Sequence, residues 1–124
     1  MLNALLDLVE GLIRQRMALT DFFFRNIVVV AEKAELFLLD VQRFDHSFRR
    51  AHGKSYPQFW SNMILFCTTD ELRQAKKRLM LLLSEGTFAK IEERAQSFIH
   101  REKKRQLDER EFAKYLSAGD ELHR

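Results

Sequence analysis

The apolar residues of the first eighteen positions recur at intervals of three and four. They are Leu2, Leu5, Leu6, Val9, Leu12, Ile13 and Met17. The charged residues Asp7, Glu10 and Arg14 fall between them. Residues at this spacing share one face of an α-helix, so the pattern predicts an amphipathic helix from Leu2 to Ala18.

A second and longer apolar pattern follows. Eight residues are separated alternately by four and three positions: Phe23, Ile27, Val30, Ala34, Phe37, Val41, Phe44 and Phe48. This heptad seam predicts a long central helix from Phe22 to Phe48, about 40 Å long at roughly 1.5 Å per residue. The β-branched run from Ile27 to Val30 is locally typical of a strand, but the helical spacing continues on both sides of it. Gly53 is expected to mark the helix end.

Three further helices are predicted from their boundary residues. Pro57 suits the first turn of a helix, because its missing N–H has no partner there. Thr68 and Glu71 have the spacing of a capping box, which would begin the next helix. Gly86 is expected to end that helix, and Thr87 to cap the last one. The apolar positions of the last helix are Phe88, Ile91, Ala95, Phe98 and Ile99.

The pattern changes after Ile99, where charges of both signs replace the apolar stripe. Apolar residues return at Phe112, Tyr115 and Leu116, the i, i+3, i+4 arrangement by which a helix presents anchors to a partner's groove. The same cluster would equally suit a satellite core. The predicted fold is therefore all-α: an antiparallel bundle of about five helices with a long central helix and a projecting C-terminal helix. One domain covers residues 1–124, with a bundle core at 1–99 and a charged helical extension at 100–118.

The composition agrees with this fold class. The chain has 124 residues, of which 46% are hydrophobic and 31% charged, with four glycines and one proline. This length suits a single domain, and few helix breakers favour helices over a turn-rich β fold. The most hydrophobic window, Phe22 to Val30, is interrupted by Arg25 and is too short to span a bilayer. The single Cys67 has no disulfide partner, which favours a reducing, cytoplasmic location.

Positive charge is concentrated in the middle of the chain. The net charge is +3, while residues 46–78 hold seven Lys or Arg against two Asp or Glu, a local net charge of +5. The candidate nucleic-acid-binding residues are Arg49, Arg50, Lys54, Arg73, Lys77 and Arg78, which form one surface if the second and fourth helices lie side by side. Phosphate contacts would explain such a surface, and so would an ordinary solvated face.

No residue pattern indicates catalysis. None of the four histidines has metal-ligand spacing to another histidine or to Cys67, and the four glycines are isolated, so no phosphate-binding loop is present. We expect no cofactor, no metal and no enzymatic activity. The sequence favours a non-enzymatic protein-interaction module, such as an adaptor, assembly factor, chaperone or inhibitor, with Phe112, Tyr115 and Leu116 contacting the partner. The alternative is a small DNA- or RNA-binding regulator. The surplus apolar surface of the heptad seam is compatible with a homodimer as well as with the core of a monomer.

Overall fold

A computed structural model describes residues 2–19, 21–30, 35–38 and 44–122. The elements in chain order are α1 (Leu2–Arg14), β1 (Ala18–Leu19), a 3-10 turn (Phe24–Asn26), β2 (Ile27–Val30), β3 (Glu35–Leu38), β4 (Phe44–Asp45), α2 (Phe48–Arg50), a π-helical segment (Ala51–Ser55), α3 (Tyr56–Phe66), α4 (Thr69–Leu79) and α5 (Glu85–Leu122). The strands are two to four residues long. The predicted all-α class is confirmed.

The first predicted helix forms and ends three residues before the first strand. Its apolar stripe faces the core, with Leu6, Val9 and Leu12 buried and Leu2, Leu5, Ile13 and Met17 packed against them. After Arg14 the chain turns, and Arg16 and Asp21 both have φ near +50°. This left-handed conformation is uncommon for residues other than glycine. The turn ends the helix before Ala18, which begins β1.

The predicted long central helix is wrong. Ile27 to Val30 form β2, which pairs antiparallel with β3 in the register Ile27 with Leu38 and Val30 with Glu35. A second antiparallel pair joins β1 to β4, with Ala18 opposite Asp45. Ala34 and Val41 of the predicted seam lie outside the described residues. β-branched residues lose side-chain freedom in a helix and are favoured in strands, and here this local preference prevails over the heptad spacing.

One continuous helical stretch runs from α2 through the π-helical segment into α3. The predicted helix end at Gly53 is therefore wrong. The Tyr56 N–H donates to the carbonyl of Ala51, five residues earlier. A proline ring normally clashes with the carbonyl four residues before it. The widened turn that precedes Pro57 relieves this clash, so the helix passes through the proline position.

Helix α3 is buried on all sides at its N-terminal end, where every residue from Tyr56 to Met63 is buried. Its polar side chains bind the backbone of the segment that follows α1. The Ser55 hydroxyl, just before α3, accepts from Leu19 N at 3.0 Å and donates to Leu19 O at 2.9 Å. The Gln58 and Asn62 side-chain oxygens accept from the N–H groups of Phe22 and Phe24 at 2.9 and 2.7 Å. These side chains satisfy backbone groups that buried extended chain would otherwise leave unpaired.

The start of α4 matches its prediction, and the junction with α5 does not. The Thr68 hydroxyl accepts from Glu71 N, and the Glu71 carboxylate accepts from Thr68 N, completing the predicted capping box. Helix α4 ends at Leu79 rather than near Gly86. The cap of α5 is Ser84, whose hydroxyl accepts from Thr87 N at 3.2 Å. Thr87 therefore lies inside the first turn of α5, and so does Gly86.

Helices α3 and α5 form the centre of the core. The Trp60 and Phe88 rings meet edge to face with centroids 5.0 Å apart, and Gly53 lies beside Arg94. The pairing of 53 with 94 and of 60 with 88 means that the two helices run antiparallel. Phe88, Ile91, Ala95 and Ile99 of α5 are buried, as predicted. Within the described part of the chain, no helix has the length and apolarity needed to cross a bilayer.

Candidate functional site

Two adjoining clefts lie between the helical stretch around Gly53 and the N-terminal half of α5. The first has a volume of about 450 Å³, and its lining residues are Arg49, His52, Gly53, Thr87, Lys90, Ile91 and Arg94. The second has a volume of about 360 Å³, and its lining residues are Ser47, Arg49, Arg50, Gly53, Lys54 and Arg94. Arg49, Gly53 and Arg94 line both. We refer to the two together as the cationic cleft.

The π-helical segment positions one wall of the cationic cleft. Ala51 and Ser55 of this segment are buried at 1% exposure and anchor it to the core, while Lys54 is exposed. A Cβ atom at Gly53 would stand 3.1 Å from Nη1 of Arg94. Such a contact is tighter than side chains normally tolerate, so glycine at this position lets the Arg94 guanidinium lie against the helix backbone.

The described lining of the cationic cleft carries charge of one sign. Its charged side chains are arginines and lysines, and no acidic residue is among the described lining residues. Among the residues that the structure describes, Arg49, Lys54, Lys90 and Arg94 form no ion pair. Like charges that line one cleft repel each other, and the repulsion is screened mainly by solvent and salt. The arrangement is therefore suited to an anion.

His52 lines the first cleft and lies beside Tyr56. Their rings are 5.4 Å apart, and the Tyr56 hydroxyl donates to the carbonyl of Met17 at 3.1 Å. Burial lowers the pKa of His52 and raises the pKa of Tyr56 to about 12. Both groups are thus held neutral at pH 7, and the positive charge of the cleft comes from its arginines and lysines.

The structure separates the predicted nucleic-acid-binding residues into two groups. Arg49, Arg50 and Lys54 line the cationic cleft, whereas Arg73, Lys77 and Arg78 lie on α4 and line neither of the two clefts.

Arg73 and Arg78 are engaged in ion pairs of their own. Arg73 meets Asp70 at 3.3 Å. Arg78 donates to Glu10 at 2.8 Å and to Asp7 at 2.7 Å, hydrogen bonds that raise its pKa and join α4 to α1. Arg73 and Arg78 are thus each paired with carboxylates of α4 or α1.

Sequence reasoning missed Lys90 and Arg94, which complete the cationic cleft from α5. The two residues are four positions apart, so they lie on the same helical face. A pair of like charges at this spacing destabilises a helix by roughly 0.2–0.5 kcal/mol. This unfavourable pair of like charges is the sequence feature from which Lys90 and Arg94 could have been identified.

The second candidate surface is the part of α5 beyond Ile99, which we call the C-terminal arm (residues 100–122). From Lys103 to Glu111 every described side chain except Gln106 is exposed, and Leu107 is 58% exposed. Arg105 binds Glu102 through two hydrogen bonds and Glu109 at 2.6 Å, and the bond from Arg105 is the main cause of the lowered pKa of Glu102. The backbone of Phe112, Tyr115 and Leu116 continues the helix, but their side chains lie outside the described part of the structure.

Nucleophile and metal chemistry have little support in the described residues. Burial, and then the charge of Glu71, raises the pKa of Cys67, and its Sγ lies 3.6 Å from the sulfur of Met63. A raised pKa disfavours the reactive thiolate. Within residues 2–19, 21–30, 35–38 and 44–122, no group of three or more His, Cys, Asp or Glu side chains is placed to hold a metal ion.

No protein-family model matches the chain, and neither a curated protein nor a solved structure shows significant similarity to it.

Proposed function

We propose that the protein is a non-enzymatic protein-interaction module, an adaptor, assembly factor, chaperone or inhibitor, that binds its partner through the C-terminal arm. One observation carries the proposal: α5 continues to Leu122, well beyond Ile99, the last buried residue of its core stripe. Helices in globular proteins are stabilised mainly by packing of an apolar face. A helix that extends far past such packing presents its surface to another molecule.

Contacts within the protein stabilise the arm as a helix before any partner binds. Its first turns continue from the packed half of α5, so no separate nucleation is required. Arg105 then bridges Glu102 and Glu109 along one side, and Arg25 of the 3-10 turn approaches Glu102 at 3.7 Å. Pairs at these spacings stabilise a helix by a few tenths of a kcal/mol each. A preformed helix binds with a smaller entropic cost than a segment that orders on binding.

The proposed partner is a protein with an apolar groove that accepts one helical face. Phe112, Tyr115 and Leu116 are the proposed anchors, because their spacing places them on one side of the arm. The exposed charges of residues 103–111 would then face the rim of the groove, where charged contacts affect recognition more than affinity.

Three further expectations concern the location, a homodimer and nucleic-acid binding. A reducing, cytoplasmic location belongs to it, supported by the single unpaired Cys67. The homodimer predicted from the heptad seam loses its structural basis, because residues 27–30 and 35–38 form strands. The alternative, nucleic-acid binding through residues from Arg49 to Arg78, has less support, because only three of its six residues line the cationic cleft.

The test compares the wild type with the triple change Phe112→Ala, Tyr115→Ala and Leu116→Ala in affinity purification from the native cell. Alanine favours helix, so the arm should keep its helicity. We expect the partner to be lost while the melting temperature changes little. A matched control changes three exposed residues of the packed half of α5, Glu93, Gln96 and His100, to alanine, and this variant should retain the partner.

Two results contradict the proposal. If the triple variant melts many degrees lower, the cluster is a satellite core and the arm is a structural element. If the triple variant and the control retain the same partner equally, the binding surface lies elsewhere on the molecule.

A further inference from the structure

The cationic cleft contains lysines and arginines that have no role in the proposed function. Arg49 and Lys54 come from the helical stretch that precedes α3, and Lys90 and Arg94 come from α5. These four side chains line the two adjoining parts of the cleft. Among the described residues, none of the four forms an ion pair and no acidic residue lines the cleft with them. By contrast, Arg73, Arg78 and Lys76 of α4 each meet a carboxylate.

The two sets of cations differ in their effect on the stability of the free protein. Arg78 is paired twice and joins two helices, so its charge contributes to folding. The cations of the cleft repel one another in the free protein, and the pair Lys90 and Arg94 repels along its own helix. An arrangement that is unfavourable in the free protein becomes favourable when an anion binds between the charges.

We propose that the cationic cleft binds a ligand with two linked phosphate groups, one in each of its two parts. Lys90 would contact the phosphate in the first part and Lys54 the phosphate in the second. Arg49 and Arg94 line both parts and would bridge the two phosphates. A guanidinium donates two parallel hydrogen bonds to phosphate oxygens, which suits the two residues at the shared wall.

The size of the cleft agrees with a ligand of this kind. Its two parts, of about 450 and 360 Å³, fall in the range of small-molecule sites, roughly 300–1,000 Å³. A single carboxylate or one orthophosphate would leave most of the five lysine and arginine charges of the cleft without a counter-charge. Two linked phosphate groups balance more of these charges.

Gly53 has a positioning role in this proposal. Because a Cβ there would meet Arg94 Nη1 at 3.1 Å, Gly53→Ala pushes the guanidinium away from the wall that the two parts share. The substitution should weaken diphosphate binding without removing a charge. Binding that depended only on the net charge of the cleft would not be weakened by Gly53→Ala.

The linked phosphates can belong to a free diphosphate or to a nucleic-acid backbone, and the experiment distinguishes these sources. Titration calorimetry at low and physiological salt would use three probes: orthophosphate, pyrophosphate and a single-stranded oligonucleotide. Pyrophosphate bound at least about tenfold more tightly than orthophosphate supports the proposal with a free diphosphate as ligand. Binding of the oligonucleotide alone, with affinity that falls steeply with salt, supports it with the backbone as ligand.

The variants decide whether the cleft is the site. Arg94→Ala should weaken binding of whichever probe the wild type binds about tenfold. Lys54→Ala and Lys90→Ala should each weaken binding of the same probe. Lys77→Ala is the matched control, since it removes the same charge from an exposed position on α4, and it should bind like the wild type. These four variants and Gly53→Ala all change partly or fully exposed positions. Unchanged melting temperatures would show that they fold.

The proposal is overturned if neither pyrophosphate nor the oligonucleotide binds. It is also overturned if Lys77→Ala weakens binding as much as Arg94→Ala, because the net charge and not the cleft would then be responsible. The proposal is independent of the C-terminal arm, so loss of the protein partner in the triple variant leaves this result unaffected.

Discussion

Helices α3 and α5 pack against each other, yet they are buried in different ways. Every residue of α3 from Tyr56 to Met63 is buried, including the polar ones. Helix α5 buries one stripe, which begins at Phe88 and ends at Ile99. A helix that is buried all round must find partners for its polar side chains inside the protein. A helix that is buried on one stripe keeps its other faces free, and both candidate sites of this protein lie on such faces of α5.

The largest expected effect is at the contact between the two helices. Phe88 is 2% exposed and its ring meets Trp60. Phe88→Ala should reduce the free energy of unfolding by about 3–5 kcal/mol, because it removes a buried ring and leaves a cavity. Chemical denaturation would measure the change. Leu107→Ala on the same helix is the control and should stay within about 0.5 kcal/mol, since Leu107 is 58% exposed. Similar losses for both variants would contradict the division of α5 at Ile99.

A smaller effect is expected on the polar face of α3. Gln58→Ala leaves the buried Phe22 N–H without its acceptor and should reduce the free energy of unfolding by about 1–3 kcal/mol. Gln96→Ala on α5 is the matched change at an exposed position, and we expect less than about 0.5 kcal/mol. Urea denaturation of both variants gives the comparison. Equal losses of unfolding free energy would mean that the buried Gln58 of α3 contributes no more to stability than the exposed Gln96 of α5.

The third effect depends on pH and concerns Tyr56 at the start of α3. Its pKa is raised to about 12 by burial, above the unfolded value of about 10. The protonated hydroxyl therefore stabilises the fold fully below pH 10, and this contribution is lost as the pH rises towards 12. Tyr56→Phe has no such group, so the stability difference between wild type and variant should decrease from pH 10 to 12. A difference that stays constant from pH 9 to 12 would show that the hydroxyl titrates normally in the folded protein.

Local patterns in the sequence predicted much of the helical structure correctly. The stripe of α1, the capping box of α4 and the core stripe of α5 all form as expected. The predicted helix ends at Gly53 and Gly86 and the predicted cap at Thr87 were wrong. The largest failure lay between Phe22 and Phe48, where two local tendencies competed. There the heptad spacing indicated a helix and the β-branched run from Ile27 indicated a strand, and the strand formed.

The candidate site was half predicted. The sequence grouped the basic residues of the helical stretch before α3, Arg49, Arg50 and Lys54, with those of α4. Their partners were expected on α4 but came from α5, at Lys90 and Arg94. Charge counts along a chain show where basic residues are concentrated, but not which helix will lie opposite them. The ion pairs of Arg78 with Asp7 and Glu10 depend on residues about seventy positions away, which no local pattern includes.

The sequence by itself determined the helical class, the capping box of α4 and the inward faces of α1 and α5. Each of these depends on residues within a few positions of one another, because helix periodicity and capping act over one or two turns. Only the tertiary structure decided that Ser55, Gln58 and Asn62 would be buried, since their backbone partners are 36 to 38 residues away. The tertiary structure also assembled the cationic cleft, because like charges from distant segments come together only when apolar packing elsewhere holds those segments in place.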